Sequence, residues 1–326
     1  MAAITTGGGT LVAKRADSRR PKRIRVVVTC SHRKSMVVPD ALHLRVLNHL
    51  TPSARMKTWV RRLNHNSAPT VSAVELYVGE HWEVARHLCD SDVVGIPVEL
   101  WICSAGYGLI PAVAELLPYS ATFSADSPDS IPDGNAGAAR WWAALQRWDG
   151  PAAAPRSLAA LVEDDPSSRV IVALSAPYVR ACRLDLISAA DSARPGQFSV
   201  VSAGTKRDAE LAPYLLPVDA RLQHVVGGTR QALNVRAVSH VLAAGATSHA
   251  DMEASLTALL AEQPPVPRYE RRPASDAQVR TFIRRRLRAD DTATHSRLLR
   301  EFRNSDLACE QSRFAALFRA ESIEAR

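Results

Sequence analysis

Residues 23–30 read RIRVVVTC, a run of mostly β-branched residues that ends in a threonine and a cysteine. Such a run is typical of a parallel strand buried on both faces. Three further runs of this kind end in small or polar residues, at 97–103 (PVELWIC), 169–174 (RVIVAL) and 198–202 (FSVVS). Segments with helical spacing lie between and after them, at 71–89, 136–148, 176–190, 229–244 and 251–262. The alternation predicts an α/β domain over residues 23–262, with a largely parallel sheet and flanking helices.

The C-terminal part of the chain has a different pattern. Residues 263–274 (QPPVPRYERRPA) predict a linker, because prolines stiffen the chain and lack a backbone donor. Three amphipathic segments follow, at 275–288, 294–304 and 309–319. Their apolar stripe consists of Val279, Phe282, Ile283, Leu298, Leu299, Phe302, Phe314, Leu317 and Phe318. We expect a small all-α module over residues 275–326, of helix-turn-helix or winged-helix-like type.

Charge is unevenly distributed along the 326 residues, whose formal net charge is +8. Residues 1–74 carry a net charge of +12, residues 75–267 of −9 and residues 268–326 of +5. Residues 1–22 predict a disordered basic tail. Two basic ends around an acidic body favour a nucleic acid, most directly DNA, as the partner.

Arginines of the C-terminal module are the expected contacts to nucleic acid, because a guanidinium makes forked bonds to phosphate. They are Arg280, Arg284, Arg285, Arg297, Arg300 and Arg303. In the alternative interpretation they form a solvated face that Asp290, Asp291 and Glu301 balance.

Composition and motifs also limit the expected cellular location of the protein and the cofactors that it could bind. The chain is 46% hydrophobic and 23% charged, as in ordinary folded proteins, and has no apolar run long enough to cross a membrane. Neither a secretory signal nor a paired-cysteine motif is present, so we expect a cytoplasmic protein with free thiols. The histidines lack metal-ligand spacing, and the dinucleotide and Walker motifs are missing. We therefore expect no metal and no cofactor.

The first strand leads directly into polar residues. Cys30 ends the run, Ser31 follows it, and Lys34 supplies a cation three residues later. The carboxyl edge of a parallel sheet is the usual ligand crevice, so Ser31 and Lys34 are candidate substrate-binding residues and Cys30 a candidate nucleophile. The alternative is a solvated turn behind a half-buried cysteine.

The second strand leads into CSAGYGLIP at 103–111. Glycines on both sides of a tyrosine permit a tight turn with backbone amides directed at a ligand. The segment supplies five candidates, Cys103 as nucleophile and Ser104, Gly106, Tyr107 and Gly108 as substrate-binding residues. The alternative for Cys103 is that of a small hydrophobic residue that closes a strand.

A third cluster combines glycines with charge. Gly227 and Gly228 precede a helix that carries Arg230 and Asn234, and such an arrangement presents amides to a phosphate. Arg221 and Arg230 are the candidate anion clamp, and Asp219 is a candidate general acid or base. Alternatively, Asp219 simply pairs with one of these arginines.

The segment 75–82 (ELYVGEHW) adds two more candidates. Glu75 is a second candidate general acid or base, and Tyr77 a candidate pocket residue. The alternative is that the aromatic residues of this segment belong to the core.

Three motifs together resemble one family. TCSHRKS at 29–35, LYVGEHW at 76–82 and CSAGYGLIP at 103–111 resemble the YaaA-like proteins and their relatives, over roughly residues 23–125. The resemblance implies that the Ser31-to-Lys34 strand end and the 104–109 segment form one pocket. It also implies a link to DNA and to enzymes that place 7-deazaguanine bases in nucleic acid. It does not explain the Gly227–Gly228 cluster or the C-terminal module.

These observations favour a bacterial enzyme, or enzyme subunit with partner subunits, that acts on a 7-deazaguanine-type modified base or nucleotide in DNA. Nitrile hydrolysis by a cysteine nucleophile is one reaction that fits. Two alternatives stay open. One is a non-catalytic DNA-binding or scaffold protein of a modification or defence system, and the other is a nucleotide hydrolase in phage defence.

Overall fold

The computed structural model describes residues 21–89, 95–125, 127–152, 154–205, 208–265, 271–290 and 292–324. The chain divides into two compact units, Met1–Pro264 and Pro265–Arg326. The predicted tail lies outside the described residues up to residue 20, and so does the centre of the predicted linker, residues 266–270. Each unit has its own hydrophobic core.

The first unit is built on a mostly parallel sheet. Its strands are β1 (Ile24–Thr29), β2 (Val71–Ser72), β3 (Val98–Ser104), β4 (Gly108–Pro111), β5 (Glu115–Leu116), β6 (Arg169–Ala173) and β7 (Phe198–Val201). The main sheet has the order β4-β3-β1-β6-β7, in which only β4 is antiparallel. The strands β2 and β5 form a separate antiparallel pair. The predicted α/β fold is confirmed.

Helices flank this sheet. They are α1 (Pro52–His65), α2 (Ala73–Leu76), α3 (Glu80–Cys89), α4 (Gly134–Gln146), α5 (Leu158–Asp164), α6 (Ala176–Ala181), α7 (Arg183–Ser192), α8 (Gln223–Val226), α9 (Leu233–Ala243) and α10 (His249–Ala261). Short 3-10 helices occur at Asp40–Leu42, Leu44–Leu47, Ala212–Tyr214 and Ala220–Leu222.

Several helical predictions need correction. The helix α5 was not predicted, and the predicted segment 176–190 corresponds to two helices, α6 and α7. The single helix expected over residues 71–89 is instead β2, α2 and α3, because Gly79 has a φ of +107° and interrupts the helix just before Glu80. The sequence also did not predict α1, whose buried positions are Arg55, Trp59 and Leu63. A charged residue on the buried face hides the apolar repeat that identifies a helix.

The order of the strands places a crevice at one edge of the sheet. The strand β1 lies between β3 and β6, so the chain crosses to one side of β1 and later to the other. In such sheets the carboxyl ends of the strands at the crossing point leave room for a ligand. Here these ends are those of β1 and β6, which pair in parallel as far as Val28 and Ala173.

In its described residues, the second unit contains three helices, α11 (Asp276–Ala289), α12 (His295–Arg303) and α13 (Gln311–Glu324). The predicted apolar stripe forms its core, with Phe302 and Phe314 almost fully buried. The sequence did not predict the two-residue parallel pair of β8 (Arg272–Pro273) and β9 (Leu307–Ala308). No helix in the described part of the chain is both long and apolar enough to cross a membrane.

Candidate functional site

A cavity of about 460 Å³ lies at the carboxyl ends of β1 and β6. The strand end 29–33 and the start of α3 at 78–81 form two of its walls. Residues around Thr122, the start of α6 and the segment 229–234 complete it. Its volume lies within the usual range for small-molecule sites.

Cys30 gives the cavity a thiol. All five cysteines lie in the described part of the chain, and of these only Cys30 lines the cavity. Its Sγ atom lies 3.2 Å from the hydroxyl oxygen of Tyr178, which is also buried. Burial raises the pKa of Tyr178, so this hydroxyl keeps its proton and can donate it in a hydrogen bond to a thiolate.

His81 places an imidazole ring at the same cavity. Its Nε2 atom lies 2.9 Å from the carbonyl oxygen of Thr29, which can only accept, so Nε2 carries the proton. The other ring nitrogen, Nδ1, is buried and has no hydrogen-bond partner among the described residues. Burial lowers the pKa of His81, which leaves the ring neutral with a free lone pair. The sequence did not predict this role of His81.

Lys34 supports the strand end instead of lining the cavity. Its Nζ atom donates to the carbonyl oxygens of Ser31 at 2.5 Å and His32 at 3.2 Å. It also lies 4.6 Å from the ring centre of Tyr119. Burial lowers the pKa of Lys34 to about 8. The predicted substrate contact is thus replaced by a contact to the turn, while Ser31 does line the cavity.

The segment after β3 corrects a prediction. Residues 101–110 are all buried, and β4 follows immediately as an antiparallel partner of β3. The amides of Gly106 and Tyr107 donate to the side-chain oxygen of Ser104, at 3.2 and 2.9 Å. The expected orientation of these amides toward a ligand is therefore wrong.

Side chains from distant segments also donate hydrogen bonds to the carbonyl groups of this turn. Trp141 donates to the carbonyl oxygen of Ala105 at 2.8 Å, and Trp59 to that of Gly106 at 2.9 Å. Arg156 donates to the carbonyl oxygen of Tyr107 at 2.5 Å. A side chain on Gly106 would meet the ring of Tyr119 at 2.4 Å. The turn is thus part of the core, and this places Ser104, Gly106, Tyr107 and Gly108 away from the cavity surface.

Cys103 and Tyr77 also lie in the core. Cys103 is fully buried, as expected for the alternative in which it closes a strand. The Tyr77 hydroxyl lies 3.0 Å from that of Tyr119, which bonds Ser104 in turn at 2.7 Å. Glu75 is exposed and accepts a hydrogen bond from Ser72. These three predicted residues are therefore not brought to the cavity.

The third predicted cluster is only partly assembled. Asp219 pairs with Arg221 at 2.7 Å, and the hydrogen bond from Arg221 lowers the pKa of Asp219. This is the alternative outcome for Asp219. Arg230 is exposed and does not belong to the described residues that line the cavity. Asn234 does line it and ties the strand ends together, by a bond from its Nδ2 to the carbonyl oxygen of Leu174 at 2.8 Å.

The Gly227–Gly228 loop bonds a carboxylate of the protein itself. The amide of Thr229 lies 3.1 Å from each carboxylate oxygen of Glu80. Arg236 donates to Glu80 from Nε at 2.9 Å. The sequence identified the glycines but missed Glu80 and Arg236, because nothing in the local pattern connects residues so far apart.

Arginines of the second unit are used in different ways. Arg280 and Arg284 both bond the buried carboxylate of Glu321, and Arg303 donates to a backbone carbonyl oxygen of the same unit at 2.9 Å. Arg297 pairs with Asp290. The remaining two predicted contacts, Arg285 and Arg300, are exposed.

Neither a metal-ligand cluster in the described part of the chain nor a similar known protein defines the chemistry of this site. Among the described residues, no group of three or more His, Cys, Asp or Glu side chains is arranged to hold a metal. No family model matches the chain, and no curated protein or solved structure was found to be similar to it. The chemistry of the cavity is therefore inferred from its own residues.

Proposed function

We propose that the first unit is a thiol-dependent hydrolase whose substrate is a nucleobase or nucleotide. The observation that carries this proposal is the position of Cys30, a thiol in a small-molecule-sized cavity beside the Tyr178 hydroxyl. His81, whose ring lines the same cavity and whose Nδ1 has no hydrogen-bond partner among the described residues, is the proposed base. Nucleophile, hydrogen-bond donor and base are the groups that covalent hydrolysis needs.

A nitrile on a 7-deazaguanine base illustrates the chemistry. The sulfur of Cys30 forms a bond to the nitrile carbon, and the thiol proton passes to the nitrile nitrogen, which gives a thioimidate. Water then adds to that carbon while Nδ1 of His81 accepts its proton. The carbon–sulfur bond breaks, the proton returns to sulfur, and an amide leaves. The net change is the addition of one water molecule to the nitrile, which is the first half of its hydrolysis. In the second half, a second water molecule adds to the amide carbon and the carbon–nitrogen bond breaks, which releases ammonia and leaves a carboxylic acid.

The base as substrate is supported by the resemblance of residues 29–35 and 76–82 to YaaA-like proteins, since both segments contribute to the cavity. Polar side chains of Thr122, Gln231 and Asn234 also line it. Such groups fix the orientation of a flat ligand with several donors and acceptors.

Turnover by two alanine variants tests the thiol. The substrate is 7-cyano-7-deazaguanine, offered as the free base and within duplex DNA. Cys30→Ala is expected to lose turnover by a factor of about 10³ or more. Cys103→Ala, a matched thiol deletion in the core, is expected to keep it. Undiminished turnover in a folded Cys30→Ala variant would contradict the proposal.

The two rival functions give distinct results in that assay. A non-catalytic DNA-binding protein would turn over neither form of the substrate. A nucleotide hydrolase of phage defence would consume free nucleotides without DNA.

We further propose that the second unit contacts DNA through its exposed arginines, in keeping with its net positive charge. Arg300→Glu is expected to weaken binding to duplex DNA and to lower the dependence of affinity on salt by about one ion per lost phosphate contact. Arg194→Glu, an equal charge change at an exposed position of the first unit, is the control. Equal effects of both variants would show that binding depends on the net charge of the protein and not on a contact of Arg300 with DNA.

A further inference from the structure

The carboxylate of Glu80 is surrounded by donors of a kind that suits a phosphate group. The amide of Thr229 contacts both carboxylate oxygens at 3.1 Å, and the Thr229 hydroxyl also bonds the carboxylate. Arg236 adds Nε at 2.9 Å and Nη2 at 2.8 Å. We call Thr229 and Arg236 the anion cradle. Backbone amide, hydroxyl and guanidinium are the donors that bind phosphates in proteins.

The shape of the preceding loop is adapted to an oxygen at this position. Gly228 has a φ of +73°, and a side chain there would approach Oε1 of Glu80 to 2.0 Å and Nε of Arg236 to 2.3 Å. A side chain at this position would therefore have to displace the carboxylate or the guanidinium, and the positive φ also favours glycine. The cradle therefore depends on the Gly-Gly-Thr loop, whatever anion it holds.

The cradle adjoins the cavity that contains Cys30. Glu80 and Thr229 both line that cavity. Arg236 belongs to α9, which Asn234 ties to the end of β6, and its Nη1 donates to the carbonyl oxygen of Val226 at 3.3 Å. Arg236 thus has a second anchor in the backbone, although its side chain and that of Glu80 are about equally exposed, at 29% and 28%.

We propose that the anion cradle is the phosphate subsite of the cavity, and that Glu80 occupies it until a phosphate group of the ligand replaces its carboxylate. This inference rests on the proposed function, in which the ligand is a nucleotide or a base within DNA. Arg221 and Arg230, the predicted anion clamp, lie elsewhere in the structure. Arg236 takes their role in this proposal. Glu80 then acts as an internal competitor that opposes binding of anions.

Binding of inorganic phosphate to the full-length protein tests the subsite by calorimetry. An internal competitor lowers the apparent affinity by the fraction of molecules in which the site is open. If Glu80 occupies the cradle nine-tenths of the time, Glu80→Ala binds phosphate about tenfold tighter than the native protein. Glu83→Ala, which removes an exposed carboxylate from the same helix, is expected to leave the affinity unchanged.

Two more variants complete the test. Glu80→Gln keeps the size of the side chain but removes its charge, and is expected to tighten phosphate binding as well. Adding Arg236→Gln to Glu80→Ala is expected to abolish the gain. The inference is overturned if neither Glu80 variant binds phosphate tighter than the native protein, or if the gain survives the loss of Arg236.

The source of the phosphate is resolved by comparing two probes in Glu80→Ala. A mononucleotide such as guanosine 5′-monophosphate offers a terminal phosphate, and a short single-stranded oligonucleotide offers only phosphodiesters. Tighter binding of one of them identifies the natural form. None of these measurements needs the thiol, so Cys30→Ala is expected to bind phosphate as the native protein does. If the native protein shows no turnover although the Glu80 variants gain phosphate binding, the hydrolase proposal fails and the subsite stands. If turnover depends on Cys30 but no Glu80 variant gains phosphate binding, the subsite fails and the hydrolase proposal stands.

Discussion

Two neighbouring strands of the sheet end in similar sequences and lead to opposite environments. The strands β1 and β3 pair in parallel, so that Thr29 lies opposite Cys103, and both continue into small and polar residues. After β1 the chain forms the wall of a cavity, whereas after β3 it turns back within the core. The difference lies in what reaches each turn from elsewhere in the chain.

At the end of β3, the side chains of Trp59, Trp141 and Arg156 bond the carbonyl oxygens of the turn. At the end of β1, Lys34 bonds the carbonyl oxygens of Ser31 and His32 and His81 bonds that of Thr29, yet residues 29–33 still line the cavity. A turn whose polar groups are all bonded within the protein has none left for a ligand. Small and polar residues after a strand therefore identify a site only when its polar groups stay available.

The largest expected effect concerns the buried turn. Gly106→Ala would place a methyl group 2.4 Å from the ring of Tyr119, which hydrogen bonds hold in place. We expect a loss of about 3 kcal/mol in the free energy of unfolding, measured by urea denaturation. Gly196→Ala is the control, since a side chain there meets nothing within 4 Å although its φ is +77°. Its expected cost is about 1 kcal/mol.

Arg156→Met should have the next largest effect. It removes donors to the carbonyl oxygens of Tyr107 at 2.5 Å, Leu109 at 2.7 Å and Trp148 at 3.1 Å. Buried carbonyl groups without partners are costly, so we expect a loss of about 2 kcal/mol. Arg194→Met, at an exposed position, should change stability by less than about 0.5 kcal/mol. A similar small effect of Arg156→Met would contradict the role assigned to the buried turn.

The smallest effect concerns pH and the strand end after β1. The pKa of Lys34 is lowered to about 8 from 10.5, so between these values the unfolded chain binds a proton that the folded protein does not. Stability contributed at this residue therefore rises as pH increases through that window. We expect the difference in unfolding free energy between the native protein and Lys34→Met to shift in favour of the native protein by about 1 kcal/mol between pH 8 and pH 9. If this difference in unfolding free energy does not change with pH, the ammonium group of Lys34 is exposed to solvent, which would contradict the account.

Much of the fold could be predicted from the sequence because buried parallel strands are continuous apolar runs. The predicted run 23–30 contains β1, and the run 169–174 contains β6. The three C-terminal helices could also be predicted from local sequence, because their apolar residues repeat with helical spacing. The strand β4 was not predicted, since a short antiparallel edge strand after a glycine turn has little signal of its own.

The site could be predicted only where its residues are contiguous. Cys30 and Ser31 were found because they follow a strand, and the Gly227–Gly228 loop because paired glycines mark a special turn. His81, Glu80 and Arg236 acquire their roles from contacts across the fold, such as the bond of His81 to Thr29. His81 could have been identified from its position within the 76–82 motif, because that motif contributes to the cavity.

Site-resolved labelling of the native protein with iodoacetamide, read out by mass spectrometry of peptides, compares the two strand ends most directly. Cys30 lines a cavity, whereas Cys103 is fully buried and reacts only when the core opens. We expect Cys30 to be labelled at least about a hundredfold faster than Cys103 under native conditions, with the difference abolished in urea. Equal rates for the two thiols, or faster labelling of Cys103, would contradict the assignment of the site to the end of β1.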